Sequence, residues 1–289
     1  MRPSTPSVSV IVPTRNEAAN LPIVLGQVPG HYEVVIVDGN SVDDTVEVAR
    51  RCRPDARIIL QTRKGKGNAL ACGFAAATGD VIVMLDADGS ADPAEIPVFL
   101  DALVAGADYA KGSRFAEGGD SDDITVVRAL GNRVLTGMVN RFFGVRYTDL
   151  CYGYNAFWSS LVPVFGLPDL LSPSDGMVWG DGFEIETLIN IRVAAAAADI
   201  TEVGSVERTR IHGESNLNAT SDGLRVLHTI LVERWRLTWR RPALPAVAVP
   251  DTVPELVGPT VDSLRRTSTA TRRREVITPR TRLRVLAAA

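Results

Sequence analysis

Two carboxylates lie one residue apart near the middle of the chain, directly after an apolar run. Residues 81–85 carry no polar side chain, and Asp86 and Asp88 follow them. Such a run predicts a strand buried on both faces, as in the interior of a parallel sheet. Ligands of open α/β sheets bind beyond the carboxyl ends of the strands, so we expect both carboxylates in a binding crevice. Two hard oxygen ligands there suit Mg²⁺ or Mn²⁺ on a diphosphate; the alternative is a turn at Asp88 and a helix cap at Asp86.

A third carboxylate ends another apolar run. Asp38 closes a predicted buried strand at residues 32–38. A carboxylate in that position can accept hydrogen bonds from a nucleobase or a ribose. The alternative, which can hold at the same time on other residues, is a helix N-cap formed by Ser41 or Asp43.

A basic loop with two glycines offers the complementary charge. Arg63, Lys64 and Lys66 lie within residues 63–68, just ahead of a predicted helix. This composition suits a diphosphate that approaches a helix N-terminus. The loop lacks the spacing of a P-loop, so kinase or ATPase chemistry is not indicated.

Alternating strands and helices are expected to position these side chains. Strands are predicted at residues 7–13, 32–38, 57–61 and 81–85, and helices at residues 21–27, 43–53 and 67–77. The first strand is expected to end at Pro13, because proline cannot donate to a central ladder. The alternation predicts an α/β fold with a doubly wound, mostly parallel sheet.

The second half is less regular, and we expect it to carry acceptor-side and specificity elements. Strands are predicted at residues 109–114 and 200–210, and helices at residues 124–143, 183–198 and 222–239. The last helix has arginines beside apolar residues spaced three or four apart, namely Leu224, Leu227, Leu231, Trp235 and Trp239. That pattern predicts an amphipathic basic helix, which would either contact a membrane surface or pack in the core.

Composition and charge exclude several classes of protein. The 289 residues are 45% hydrophobic and 22% charged, as in ordinary globular proteins. A net charge of -3 argues against a general nucleic-acid binder, which needs clustered positive charge. The three cysteines show no metal-ligand spacing, and neither a signal peptide nor a run of roughly 20 apolar residues is present. We therefore expect a cytoplasmic protein, with the inner face of the membrane as a peripheral location if the basic helix rests there.

Taken in order, these motifs resemble family 2 glycosyltransferases of the GT-A fold, a nucleotide-diphospho-sugar transferase fold. The matching stretches are residues 12–17, 37–45, 64–67 and 85–88. Three later stretches, residues 112–115, 148–157 and 210–217, look most like the dolichyl- or polyprenyl-phosphate sugar synthase branch. The match covers about residues 8–235.

The resemblance implies a binding site for an NDP-sugar. It implies that Glu17 and Asp38 contact the nucleoside, while Asp86 and Asp88 organise Mg²⁺ or Mn²⁺ and the diphosphate. Other donor-binding positions implied by the matching motifs are Pro13, Arg15, Asn40, Lys64 and Lys66. The metal would neutralise the charge that builds on the departing nucleotide.

The resemblance also implies how an acceptor is held. Arg114, Arg128 and Arg210 match arginines that clamp donor and acceptor phosphates in the polyprenyl-phosphate branch, a task suited to bidentate guanidinium; the alternative for each is a surface salt bridge. A phosphate monoester is already anionic near pH 7, so it needs positioning more than a base. Asp181 and Glu184 are expected either to act as a base for a hydroxyl acceptor or to start a helix with Asp181 as its cap.

The chain departs from the family pattern at three places. Residues 38–41 are Asp-Gly-Asn-Ser instead of Asp-Asp-Gly-Ser, residues 215–217 are Ser-Asn-Leu instead of Ser-Lys-Leu, and Glu184 replaces an amide. The first change weakens any statement about the base, and the second removes one acceptor-side cation.

We predict an inverting, metal-dependent glycosyltransferase that moves a sugar from an NDP donor to a polyprenyl phosphate. The alternatives are transfer to a soluble hydroxyl acceptor and a non-catalytic nucleotide-sugar-binding protein. The expected organisation is a GT-A domain at residues 1–220, the amphipathic helix at 221–240, and a disordered tail at 241–289, where Pro, Ala, Val, Thr and Arg dominate.

Overall fold

The computed structural model describes residues 2–170, 176–213 and 219–239. The strands are β1 Val8–Thr14, β2 Glu33–Asp38, β3 Arg57–Leu60, β4 Val81–Met84, β5 Tyr109–Ser113, β6 Asp120–Ser121, β7 Asn155–Trp158, β8 Ile200–Gly204 and β9 Val206–Glu207. The helices are α1 Leu21–Gln27, α2 Thr45–Cys52, α3 Lys66–Ala76, α4 Ile96–Val104, α5 Val126–Phe143, α6 Val162–Phe165, α7 Ile185–Ala195 and α8 Ala219–Trp239. The predicted tail at residues 241–289 lies outside the described residues.

Within the described residues, seven strands form one sheet in the order β3-β2-β1-β4-β7-β5-β8. All neighbours are parallel except β7, which runs antiparallel to β4 and β5. The chain winds outward from β1 to β3 and then returns to place β4 on the other side of β1, so the strand order reverses between β1 and β4. This confirms the predicted α/β class and its mostly parallel, doubly wound sheet.

Helices cover both faces of the sheet. One core cluster joins the sheet to α1, α2 and α4, and a second joins the opposite face to α3 and α7. A third cluster packs α5 and α8 against α7. All four residues of β4 are at most 2% exposed, as the apolar run predicts. Burying each such aliphatic side chain contributes about 1.5–3 kcal/mol, so β4 holds the two acids after it on a rigid support.

The expected end of the first strand at Pro13 is wrong by one residue. Pro13 lies inside β1, in register with Val37 of β2. The pairing with β4 has already ended there, since its last partners are Ile11 and Met84. Backbone groups alternate in direction along a strand, so the N–H that proline lacks would point to the side where no ladder remains.

Helix α8 exposes three of the five residues of its predicted apolar stripe. Leu224, Leu231 and Trp235 are 63%, 50% and 59% exposed. The face that packs on α5 and α7 contains Val226 and Ile230 instead. Packing in the core is therefore not the role of this stripe. No helix in the described ranges is both long and apolar enough to cross a membrane.

Candidate active site

A cavity of about 860 Å³ opens at the carboxyl ends of β1 and β4, where the strand order reverses. The predicted site residues that line it are Pro13, Arg15, Glu17, Lys64, Lys66, Asp86, Asp88, Arg114, Arg128 and Arg210. The lining does not include Asp38, Asn40, Asp181 or Glu184. A crevice at such a reversal is the usual ligand site of open α/β sheets. The strand ends therefore bring most of the predicted residues together.

Lys66 links Asp86 to Glu186, a further carboxylate in the lining of the cavity. Its Nζ lies 2.8 Å from Oδ1 of Asp86 and 2.8 Å from Oε1 of Glu186. Burial disfavours the ammonium, but the two carboxylates outweigh it, so the pKa of Lys66 is raised above its ordinary value. Burial also raises the pKa of Glu186, against the opposing effect of Lys66. Glu186 lines the cavity, although our sequence analysis did not select it.

Arg210 joins the second acid of the pair to the loop after β1. Its Nη2 lies 3.1 Å from Oδ2 of Asp88, and its Nη1 donates to Oε1 of Glu17 at 2.9 Å. The other oxygen of Asp88 accepts from the backbone N–H and the hydroxyl of Ser90, at 3.0 Å and 2.7 Å. Asp88 is thus held in one orientation from two directions.

Asp38 ends β2 with one satisfied and one unsatisfied oxygen. Oδ2 accepts from the backbone N–H of Ser41 at 3.1 Å, while Oδ1 is buried without a hydrogen-bond partner in the described part of the chain. A buried oxygen without a donor is costly, so this atom is suited to a donor group of a ligand. Of the two residues predicted to cap α2, Asp43 accepts from the backbone N–H of Thr45, the first residue of the helix, at 3.1 Å, whereas the Ser41 hydroxyl accepts from the N–H of Asn16 instead.

Arg114 belongs to a buried ion-pair network at the cavity wall. Its Nε and Nη2 donate to the two oxygens of Asp149 at 2.7 Å and 3.0 Å, and Nη1 donates to Glu207 at 3.0 Å. Its guanidinium also lies 5.1 Å from the ring centre of Tyr152. Burial pushes the pKa of Asp149 up, but the hydrogen bonds and charge of Arg114 leave that pKa below its ordinary value.

Arg128 is the most accessible of the three predicted phosphate-binding arginines. Its side chain is 32% exposed, against 4% for Arg114 and 20% for Arg210. It lies in the first turn of α5, and its Nη1 contacts Oδ2 of Asp123 at 2.9 Å. Exposed ion pairs of this kind are weak, so Arg128 can exchange its partner for a phosphate at low cost.

Asp181 is committed to a structural contact outside the cavity. Its two oxygens accept from Nε and Nη2 of Arg63 at 2.8 Å and 3.0 Å, and its backbone carbonyl accepts from the N–H of Gly67 at 2.7 Å. A Cβ on Gly67 would lie 2.0 Å from the carbonyl oxygen of Gly180. The basic loop and the segment before α7 are therefore packed backbone against backbone.

The predicted helix cap at Asp181 is wrong. Helix α7 begins at Ile185 with Glu184 in the N-cap position. The carboxylate of Asp181 is engaged by Arg63, so it is not available to the helix. Glu184 Oε1 accepts from the backbone N–H groups of Gly180 and Gly182 at 2.9 Å and 3.3 Å, and its Oε2 is buried without a described partner.

Asp86 and Asp88 fit a divalent cation only as partial ligands. No group of three His, Cys, Asp or Glu side chains in the described residues is arranged to hold a metal. Two carboxylates that face a cavity supply hard oxygen ligands, and Mg²⁺ commonly takes its remaining ligands from water and substrate phosphates. The residues present therefore suit Mg²⁺ or Mn²⁺ bound together with a diphosphate.

Comparison with known proteins yields one family match and several similar chains. Residues 9–162 match glycosyl transferase family 2. An uncharacterized glycosyltransferase of Mycobacterium bovis is 40% identical over 108 residues, which are 37% of this chain and 49% of that protein. The alignment thus spans about half the length of that relative.

Two further comparisons extend over most of the chain. An undecaprenyl-phosphate mannosyltransferase of Micrococcus luteus is 31% identical over 244 residues, covering 81% of this chain and 95% of that protein. The glucosyl-3-phosphoglycerate synthase of Mycobacterium tuberculosis, solved with Mg²⁺ and uridine diphosphate, superposes with a TM-score of 0.62 at 22% identity over 80% of both chains. The structural match supports the fold.

Proposed function

Because this chain belongs to glycosyl transferase family 2, we propose that it moves a sugar from a nucleoside diphosphate donor to a polyprenyl phosphate. The observation that carries the proposal is the cavity at the strand reversal, in which Asp86 and Asp88 face cations from separate segments of the chain. Relatives named as undecaprenyl-phosphate, dolichol-phosphate and polyprenol monophosphomannose enzymes support this branch of the family.

The donor would bind along the β1 and β4 side of the cavity. Asp38 does not line the cavity but directly precedes Gly39, which does, and its unpaired oxygen would meet the nucleoside if the loop adjusts on binding; Lys64, exposed at the cavity wall, would offer its ammonium to the diphosphate. When bound at Asp86 and Asp88, Mg²⁺ or Mn²⁺ would supply Lewis-acid neutralisation of the leaving diphosphate. Arg210 and Lys66 hold these two carboxylates in place before substrate arrives.

The acceptor would approach from the α5 side. An oxygen of its phosphate forms the new bond to the anomeric carbon as the bond to the diphosphate breaks, and attack from the opposite side inverts the configuration. A phosphate monoester near pH 7 needs no base for this step, so positioning by Arg128 carries more weight than proton removal. The predicted location at the inner face of a membrane belongs to this proposal, because that is where a prenyl phosphate is dissolved.

A second candidate is transfer to a soluble hydroxyl acceptor. It is favoured by Glu186, a carboxylate that lines the cavity and whose pKa is raised by burial against the effect of Lys66. A base with a raised pKa can remove the hydroxyl proton as the bond forms.

One panel of reactions tests both candidates. The full chain is offered several NDP-sugars with either a polyprenyl phosphate in detergent or soluble hydroxyl acceptors, and both glycosylated product and released nucleotide are measured. We expect product on the polyprenyl phosphate, inversion at the anomeric carbon, and loss of turnover with EDTA or with Asp88→Asn. Asp101→Asn, an exposed acid on α4, is the matched control and should leave turnover unchanged.

Three results would contradict the proposal. Sugar appearing only on hydroxyl acceptors would favour the second candidate, and a loss of turnover in Glu186→Gln would support it further. Turnover that survives both EDTA and Asp88→Asn would reject the metal role. Donor binding without transfer to any acceptor would leave a nucleotide-sugar-binding protein.

A further inference from the structure

Helix α5 exposes an apolar strip that folding does not account for. Val126, Val127, Leu130 and Val134 are 85%, 79%, 63% and 56% exposed, and they lie on one side of its first two turns. We define these four residues as the α5 strip. Clustered apolar side chains on a surface mark a contact site more often than isolated ones do.

The buried side of α5 is polar in the first half of the helix, whereas Val139 is buried in the second half. Asn132 and Thr136 are buried there, and both accept from backbone N–H groups of residues 150–151. Helices of water-soluble domains normally bury their apolar side and expose the polar one. The α5 strip is the reverse of that arrangement, which is expected for a helix whose outer face meets an apolar medium.

Helix α8, which packs against α5, also exposes apolar side chains, in addition to the buried Val226 and Ile230. Its exposed side carries Leu224, Leu231 and Trp235, whereas its buried side contains Asp222 and Glu233. Trp is the residue most typical of the boundary between water and lipid, because one end of its ring is polar and the rest apolar.

The charges on the two helices differ in sign from that of the chain. Helix α5 contains three arginines and no acidic residue, and the only two acids of α8 are the buried Asp222 and Glu233. Arg133, Arg141, Arg225 and Arg234 are all exposed. The whole chain carries a net charge of -3, whereas the exposed charges on these two helices are positive; the exposed acids Asp120, Asp122 and Asp123 lie just before α5. Anionic lipid headgroups attract such a cluster of arginines near the membrane surface.

We infer that α5 and α8 together form a surface that binds an anionic lipid bilayer, with the α5 strip entering the headgroup layer. The cavity opens onto this surface, since the exposed residues Val127 of α5 and Arg225 of α8 are among its lining residues. A prenyl phosphate could then present its phosphate to the cavity without leaving the bilayer. In this respect the inference rests on the proposed function and deepens it.

The positive charge of this surface favours a lipid bilayer over a second copy of the chain or residues 241–289. Two copies of this chain that paired through α5 would bring their arginines together, which like-charge repulsion opposes. Residues 241–289 contain more arginines than acidic residues, so they do not complement the surface either. Anionic headgroups supply the missing negative charge.

Vesicle flotation with the full chain tests the inference, without donor or acceptor. We expect binding to vesicles of phosphatidylcholine with 30% phosphatidylglycerol, and binding that is weaker on phosphatidylcholine alone and at high salt. Leu130→Gln with Val134→Gln should lower the partition coefficient about tenfold, since two half-exposed aliphatic side chains lose their apolar contact. Arg133→Glu with Arg141→Glu should abolish the preference for anionic vesicles.

The matched control is Val98→Gln with Val104→Gln on α4. These valines are 53% and 44% exposed, and α4 covers the face of the sheet opposite to the one covered by α3 and α7. The control should bind vesicles like the unaltered chain. Circular dichroism and the unfolding midpoint should be the same for the unaltered chain and both glutamine variants; if the α5 variant does not fold, the arginine variant decides.

Several outcomes would overturn the inference. These are no binding to either vesicle, equal losses in the α5 and α4 variants, or a dimer in light scattering that the α5 variant converts to a monomer. Failure of the proposed function is seen separately in the detergent assay. Vesicle binding without transfer in detergent would support the membrane-binding surface and reject the prenyl phosphate activity. Transfer in detergent without vesicle binding would support the activity and reject the membrane-binding surface.

Discussion

Replacing Arg114 by Met should show how much the Arg114 cation contributes to the free energy of unfolding. The substitution keeps much of the apolar stem but removes the cation that faces Asp149, whose side chain is fully buried. Removing one partner of a buried pair usually costs 3–5 kcal/mol. The penalty for leaving the Asp149 carboxylate unpaired cannot exceed the free energy of protonating it. For a carboxyl of ordinary pKa 3.8, protonation costs about 4.4 kcal/mol at pH 7 and about 1.6 kcal/mol at pH 5. We therefore expect a loss of about 3–4 kcal/mol at pH 7.

The same reasoning fixes the direction of the pH dependence. In the unaltered chain the pKa of Asp149 is lowered in the folded state, so the pair stabilises the fold above pH 3.8 and this stabilisation is lost as the pH falls below that value. In Arg114→Met, Lys111 still lowers the pKa of Asp149, but loss of the Arg114 hydrogen bonds and charge should raise that pKa relative to the unaltered chain, so the penalty is absent at low pH and grows as the pH rises. The gap in stability between the two proteins should therefore narrow on acidification.

Urea unfolding at pH 5 and pH 8 measures this gap. Arg114→Met with Asp149→Asn serves as the control, because it removes both charges and should lose most of the pH dependence. The cation–π contact with Tyr152 is lost in both variants and does not depend on pH. An equal loss of stability at pH 5 and pH 8 in the single variant would refute the reasoning and assign the cost of the substitution to packing.

Three further substitutions probe the basic loop at residues 63–68 and the segment that packs against it. Gly67→Ala should lower stability by about 1–3 kcal/mol and raise the donor KM, because its Cβ would meet the backbone of residue 180 at 2.0 Å; Gly26→Ala, which has open space, should be tolerated in the same thermal melt. Lys64→Ala should leave stability within about 0.5 kcal/mol while raising the donor KM about tenfold, more so at low salt; an unchanged KM would remove Lys64 from the donor site. Asp181→Asn should lower the unfolding midpoint but leave the pH profile of kcat unchanged, whereas a lost acidic limb in that profile would identify Asp181 as a base.

The sheet and its acidic edge could be predicted because they depend on local patterns. Apolar runs ending in Asp38 and Asp86 predict buried parallel strands, and parallel strands bring their carboxyl ends to one edge. The antiparallel strand β7 was missed, because its four residues Asn155–Trp158 are all buried and show neither alternation nor a hairpin turn. A short run buried on both faces has no period of its own to detect.

The contacts that hold the site together were largely beyond prediction. Arg63 pairs with Asp181 across 118 residues, and Arg210 reaches Glu17 across 193. Which cation meets which acid depends on the paths of irregular segments, for which residue types and spacing carry no signal. The sequence indicated that Arg63 and Asp181 could do chemistry, but not that each would satisfy the other. Glu186 could have been predicted, because it lies two residues after Glu184 in the same motif.

The backbone contact between Gly67 and residues 180–181 limits how the basic loop and the segment before α7 can be changed by design. The loop that would hold the donor diphosphate and the segment that leads to the acceptor side are shaped against each other at 2.7 Å, with no side chain between them to absorb a change. Exchanging one segment alone should therefore disturb the other. A chimaera designed to alter acceptor choice should therefore carry residues 63–68 and 178–184 as one transplanted unit.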